Sequence, residues 1–155
     1  MGHRTLNAST WDALREIFED SIPFNKFLDV KVEGLELGNP KLVLNSQEFY
    51  VGNFIRGNLH GGVISSVLDI IGGIVAFSEV IKRNNVQTTE EILELFSRTG
   101  TIDIRIDYLR PGLGEKFIAS AYVLRTGKKV AVTRMELHNC DDLLIAVGTG
   151  AYVIS

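Results

Sequence analysis

The densest run of hydrophobic positions lies within residues 53–82, and the rest of the chain is organised around it. From about Gly61 onward, Val63, Ile64, Val67, Leu68, Ile70, Ile71, Ile74, Val75, Phe77, Val80 and Ile81 cover nearly the whole circumference of a helix. A helix that is apolar all round must be wrapped by other structure, and a sheet is the expected wrapper. Upstream, Leu14, Ile17 and Phe18 recur at helical spacing behind Ser9, which with Asp12 in capping-box-like spacing predicts the start of a first helix. Pro23 and its neighbours break that helix, and Phe24, Phe27 and Leu28 read as an apolar plug over the end of the core. Runs 30–37 and 41–44 on either side of Gly38-Asn39-Pro40 predict a hairpin. Residues 45–58 lose periodicity and read as an irregular loop, the kind of segment that carries function.

Downstream, Thr88 and Glu91 stand in capping-box spacing and start a shorter helix. Its Ile92, Leu93, Leu95 and Phe96 suit a lid on a pocket, an oligomer contact or a plain connection packed on the sheet. Residues 101–109 alternate, with Ile102, Ile104, Ile106 and Tyr108 on one face and Asp103, Arg105 and Asp107 on the other. Short turns then separate runs 116–124, 129–138 and 143–154, which predicts that the last strands form an antiparallel meander. Gly148 and Gly150 imply a bulge or a close backbone approach. The reading is α+β: one curved antiparallel sheet rolled round one long central helix, in a single domain over 1–155. An N-terminal helix and plug occupy 1–28, and a helical insertion occupies 84–100.

Composition narrows the function classes. A length of 155 residues suits one core, and a net charge of −3 leaves no basic face for nucleic acid. The single cysteine, Cys140, excludes an intramolecular disulfide, and without a Cys/His cluster neither a metal nor a cofactor is expected. The polar N-terminus lacks the apolar core of a signal peptide, so a cytoplasmic setting is expected. The apolar stretch 61–77 raises the question of a membrane, but Asp69 and two Gly pairs interrupt it and it is short for a span. His3 and His138 carry no functional expectation.

Chemistry concentrates on the central helix. Asp69 is the one ionisable residue between Gly61 and Ser78 of the apolar cylinder, and the His60-Gly61-Gly62 turn at its mouth should offer free backbone N–H groups to a ligand. Such a cradle suits a carbonyl oxygen that becomes an oxyanion. Asp69 could attack that carbonyl or deprotonate a water, and burial without a partner would suit a base; the structural alternative is a bond to backbone or to Ser65. Asp69 nevertheless lies eight residues beyond Gly61, about 12 Å along the helix and too far to act on an atom held there. A two-fold axis that brings a partner's helix alongside in the opposite sense closes the gap, so function requires a homodimer. Gly72 and Gly73 would then permit close helix approach across the dimer.

The run Gly57-Asn58-Leu59-His60-Gly61-Gly62, followed by Leu68-Asp69 and later by Thr101-Ile102-Asp103-Ile104-Arg105-Ile106-Asp107-Tyr108-Leu109-Arg110-Pro111, resembles the hotdog-fold acyl-CoA thioesterases of the PaaI-like group. The resemblance extends from about Ile22 to the end. It implies a sheet wrapped round one helix, a homodimer often paired into a homotetramer, active sites at the dimer interface, and an acyl-CoA substrate. By the same resemblance Asp69 is the general base or nucleophile, the Gly61 N–H polarises the thioester carbonyl and Thr101 positions the attacking water. Asn53 corresponds to an Asn near the thioester, although it stands one residue further from His60, with Phe54 in the expected place. His60 is expected to hold the loop, with proton transfer as the second reading. Gly62 and Ser66 are assigned to substrate. Arg110, Arg125, Lys128 and Lys129, all at turns, are assigned to coenzyme A phosphates or, alternatively, are solvated cations. The insertion 84–100 would shape the acyl pocket, and Gly72 and Gly73 could instead give the acyl chain clearance. The expected activity is hydrolysis of a hydrophobic acyl-CoA; the alternative is a non-catalytic acyl-thioester binding module on the same fold. Hydration or dehydration of an acyl thioester is the weaker enzyme reading, since the His and acid motifs of hotdog dehydratases are missing.

Overall fold

The computed structural model describes residues 7–36 and 38–155. Helix α1 (Ala8–Glu16) starts two residues earlier than Ser9 predicts: extended Asn7 is the cap, its Oδ1 accepting from the Thr10 N–H at 2.8 Å. The helix continues into a wider π turn (Ile17–Ser21), and after Ile22 a short α2 (Pro23–Phe27) follows, with Pro23 at its first position, where a missing N–H costs nothing. The plug is not the one expected. Leu28 is buried, but Phe24 and Phe27 stand 53% and 62% exposed, and Phe18 and Ile22 turn inward instead.

Strands β1 (Lys31–Glu33) and β2 (Lys41–Asn45) form the expected antiparallel hairpin. Its first strand is shorter than 30–37 because Gly34, at φ 69°, leaves the extended region; Leu37 lies outside the described residues. The loop over 45–58 is more ordered than expected: a turn of 3-10 helix (Glu48–Tyr50) leads into a small pair, β3 (Val51–Asn53) with β4 (Asn58–Leu59).

Helix α3 (Gly61–Asn84) crosses under a six-stranded antiparallel sheet in which β1 and β2 are followed by β6 (Lys116–Thr126), β7 (Val130–Asn139), β8 (Leu144–Ile154) and β5 (Thr99–Tyr108). At 24 residues it ends at Asn84, where the apolar run was expected to stop, and it is long enough to span a bilayer although the stretch 61–77 by itself reads as short for one. Its apolar surface is instead taken up by the fold: Ile64, Val67, Leu68, Ile71, Ile74 and Phe77 are all buried among the inward-facing side chains of the strands. One stripe stays open, formed by Gly62, Ser66, Asp69 and Gly73 at helical spacing.

Helix α4 (Thr89–Phe96) opens with the predicted capping box, Thr88 Oγ1 accepting from the Glu91 N–H at 3.2 Å and the Glu91 carboxylate accepting from the Thr88 N–H at 3.2 Å. Strands β6 (Lys116–Thr126), β7 (Val130–Asn139) and β8 (Leu144–Ile154) make the predicted meander. Strand β5 (Thr99–Tyr108) does not join it in sequence order: it pairs with β8 and becomes the outer edge of the sheet. The close approach expected at Gly148 and Gly150 is present, since a Cβ there would lie 2.9 Å from Ile106 Cδ1 and 2.8 Å from the Tyr152 hydroxyl respectively.

Candidate active site

The N-terminus of α3 is built by a folded-back histidine. His60 caps the helix, its Nδ1 accepting from the Gly62 N–H at 2.8 Å, so that its other ring nitrogen carries the proton. A Cβ on Gly62 would lie 2.9 Å from that Nδ1, which is why glycine stands there. The Gly62 N–H is therefore not one of the free donors the sequence reading expected. The Gly61 N–H has no acceptor among the described residues, and the positive end of the α3 dipole adds to its pull on an anion. The Gly61 carbonyl, at 3.0 Å, accepts from the Tyr108 hydroxyl, and the Ser66 hydroxyl donates to the Gly62 carbonyl at 2.7 Å.

Two turns along the helix, Asp69 is half-buried on the open stripe and is not alone: Thr101 Oγ1 donates to Asp69 Oδ1 at 2.9 Å. Strict alternation along β5 would have put Thr101 on the outer face with Asp103. The pairing with β8 slips between Thr101 and Asp103, so that Ile102 bulges out, 52% exposed, and Thr101 joins the face that meets α3. Beneath the pair, the buried Tyr152 hydroxyl donates to the Asp69 carbonyl at 3.2 Å. Burial, together with the nearby Asp69 charge and hydrogen bonding, holds this phenol far above the usual tyrosine range, so it stays a proton donor. Gly72 makes room for it: a Cβ at Gly72 would collide with the Tyr152 hydroxyl and lie 3.0 Å from Thr133 Oγ1. Gly72 thus faces the sheet, while Gly73 faces the open stripe.

Asp69 and Thr101 line a cavity of about 200 Å³ whose other walls are mostly apolar, among them Ile70, Gly73, Phe77 and Phe96. The Gly61 amide does not open into it. Gly61 lines a separate groove with Asn53, Arg56, Tyr108 and Arg110. Asn53 is committed to the turn below it, its Oδ1 accepting from the N–H groups of Ile55 at 3.1 Å and Arg56 at 3.2 Å, and Phe54 is 89% exposed. Arg110 is anchored by a bond to the Leu144 carbonyl at 2.9 Å. Arg125, Lys128 and Lys129 are elsewhere, around the β6–β7 connection, where Arg83 near the far end of α3 donates to the Gly127 carbonyl at 2.7 Å. That end lies about 21 Å along the helix from Asp69, so one chain does not bring these cations to the carboxylate. A carboxylate held by a hydroxyl over an apolar cavity can take a proton from water or attack an electrophilic carbon.

Tyr152, Tyr108, Arg56 and Phe18 were not picked out as site residues. Tyr108 and Arg56 flank the Gly57–Pro111 motifs and could have been found by asking what faces the His-Gly-Gly turn. Tyr152 depends on strand register and left no local signal.

The sequence profile of the thioesterase superfamily matches residues 56–146. Over 139 residues the chain is 44% identical to the medium/long-chain acyl-CoA thioesterase YigI of Salmonella typhimurium, the match covering 90% of each protein. It is 43% identical to YigI of Escherichia coli with the same coverage. A Shewanella oneidensis protein related to the thioesterase superfamily superposes with a TM-score of 0.89 at 36% identity, covering 96% of this chain and 97% of that one. The PaaI protein of E. coli superposes with a TM-score of 0.75 at 19% identity, covering 97% and 96%, a likeness of fold alone. The chain belongs to the thioesterase superfamily. It is a thioester hydrolase with the hotdog fold.

Proposed function

We propose that this protein is an acyl-CoA thioesterase, acting on hydrophobic acyl groups, and that two copies of the single domain build each active site. One observation carries the reading: the Thr101-bound Asp69 opens onto an apolar cavity, while the unpaired Gly61 N–H opens onto a different groove. A second copy related by a two-fold axis perpendicular to α3, passing through its open stripe, runs its helix in the opposite sense and supplies the Gly61 amide to the first copy's Asp69. The outer edge of β5, beside Thr101, is the natural seam for that pairing. The YigI relatives, named as medium/long-chain acyl-CoA thioesterases, support the substrate class.

In this reading the acyl chain enters the cavity and the thioester carbonyl oxygen points at the partner's Gly61 N–H. Asp69 either takes a proton from a water held by Thr101 as that water attacks the carbonyl carbon, or attacks it directly and forms an anhydride that water opens. In both routes the Gly61 N–H holds the oxyanion, the C–S bond breaks, and the coenzyme A thiolate leaves and is protonated. His60 holds the turn that aims the Gly61 amide. Arg56 and Arg110 beside Gly61 suit the phosphates of coenzyme A, in a homodimer paired further into a homotetramer. The test is thiol release from a panel of acyl-CoAs by wild type and Asp69→Asn. The variant should fold as a dimer and lose turnover by at least about a thousandfold. Wild-type rates from the variant, or full activity in a monomer by ultracentrifugation, would remove the reading.

A further inference from the structure

We infer that Phe18, Phe77 and Phe96 form the floor of the acyl channel and set the longest chain it takes without rearrangement, at about eight to ten carbons. The inference rests on the acyl-CoA reading above. The cavity runs parallel to α3: its lining on that helix begins at Asp69, passes Ile70, Gly73 and Ala76, and ends at Phe77. Asp69 and Phe77 are eight residues apart, about 12 Å along the axis. The opposite wall runs the same way, from Thr101 back through Thr99 toward Phe96. At the far end three rings meet edge to face, with centroids 6.3 Å apart for Phe18 and Phe77, 5.8 Å for Phe18 and Phe96, and 5.5 Å for Phe77 and Phe96. Three different elements supply them: the π turn after α1, α3 itself, and the last residue of α4.

Two of the floor residues are anchored through their own carbonyls. The Asn25 side chain donates to the Phe18 carbonyl at 2.9 Å, and Thr99 Oγ1 donates to the Phe96 carbonyl at 2.8 Å. An extended alkyl chain advances about 1.25 Å per carbon, given C–C bonds of about 1.5 Å at tetrahedral angles, so the 12 Å span takes about eight to ten. Gly73 lies halfway along, and a Cβ there would meet only Tyr152 Cε1, at 3.7 Å. A large side chain at that position has space to enter the channel and would stop an acyl chain after about four or five carbons.

The experiment measures kcat/KM for straight-chain acyl-CoAs from butanoyl to octadecanoyl, by thiol release, for wild type, Phe96→Ala and Gly73→Leu. In the wild type kcat/KM should climb with chain length as far as octanoyl or decanoyl, by up to about tenfold per two carbons, and then level off or fall. Phe96→Ala should move the optimum at least two carbons longer, read as a rise in the dodecanoyl-to-butanoyl ratio of kcat/KM. Gly73→Leu, which replaces glycine in a helix with a better helix former and so survives if the first variant does not fold, should, once ultracentrifugation has shown it to be dimeric, lower the decanoyl-to-butanoyl ratio of kcat/KM tenfold or more. Variants that hydrolyse acyl-CoA with an unchanged length profile would overturn the floor while leaving the thioesterase reading intact. An absence of thiol release by the wild type at every length, or wild-type rates from Asp69→Asn, would bring down the reading itself and this inference with it.

Discussion

Replacing Gly72 with alanine separates two opposing forces on the central helix. By helix propensity alone the change stabilises α3, since alanine is favoured over glycine by about 1 kcal/mol in a helix interior. The new methyl, however, points at the buried Tyr152 hydroxyl and would also lie 3.0 Å from Thr133 Oγ1, with the sheet closed behind both. Overpacking of this kind costs about 1–3 kcal/mol, and displacing Tyr152 from the Asp69 carbonyl forfeits about 1 kcal/mol more. The net expectation is a loss of about 1–3 kcal/mol, read as a lower urea midpoint at unchanged slope. Combining Gly72→Ala with Tyr152→Phe removes the colliding oxygen, so the double variant should be more stable than the sum of the single effects predicts, by about 1 kcal/mol. A stabilised Gly72→Ala protein, or strict additivity in the cycle, would refute the claim that this glycine exists to admit the tyrosine.

Thr101→Val keeps the shape at the bulge and removes the donor to Asp69 Oδ1, so kcat for acyl-CoA should fall by about tenfold, with the urea midpoint nearly unchanged; an undiminished kcat would show that the hydroxyl positions nothing. The pH dependence of stability carries a definite sign. The Tyr152 phenol is held above its ordinary value of 10.0, so above that pH the unfolded chain loses a proton that the folded chain keeps, and stability falls as pH rises. Urea midpoints measured upward from about pH 10 should therefore decline in the wild type and less steeply in Tyr152→Phe, where only the other raised tyrosine, Tyr50, remains; equal slopes would contradict it.

Periodicity alone carried much of this fold. An all-round apolar helix has few ways to be soluble, so a sheet wrapped over residues of α3 followed from Val63 through Ile81, and the α4 cap followed from Thr88 and Glu91, because each rests on neighbours in sequence. The same was true of Asp69 and Gly61: a carboxylate in an apolar run and an amide at a helix start are visible without coordinates, and their separation along the helix is fixed by its rise. What failed was whatever depended on distant partners. Phe24 and Phe27 read as core and are exposed, while Phe18 and Ile22 line the cavity beside α3. Gly62 was counted as a free donor, because nothing in the order of residues shows that His60 folds back onto it.

The sequence by itself determined which residues are candidates for the chemistry and that they sit too far apart on one helix to act together, since local geometry needs only spacing. Tertiary structure alone decided that β5 crosses to the edge beside β8, that its bulge turns Thr101 toward Asp69, and that three phenylalanines from three elements close one channel. Strand order, register and the meeting of remote side chains are settled by how the whole sheet packs on α3, and no local pattern encodes that.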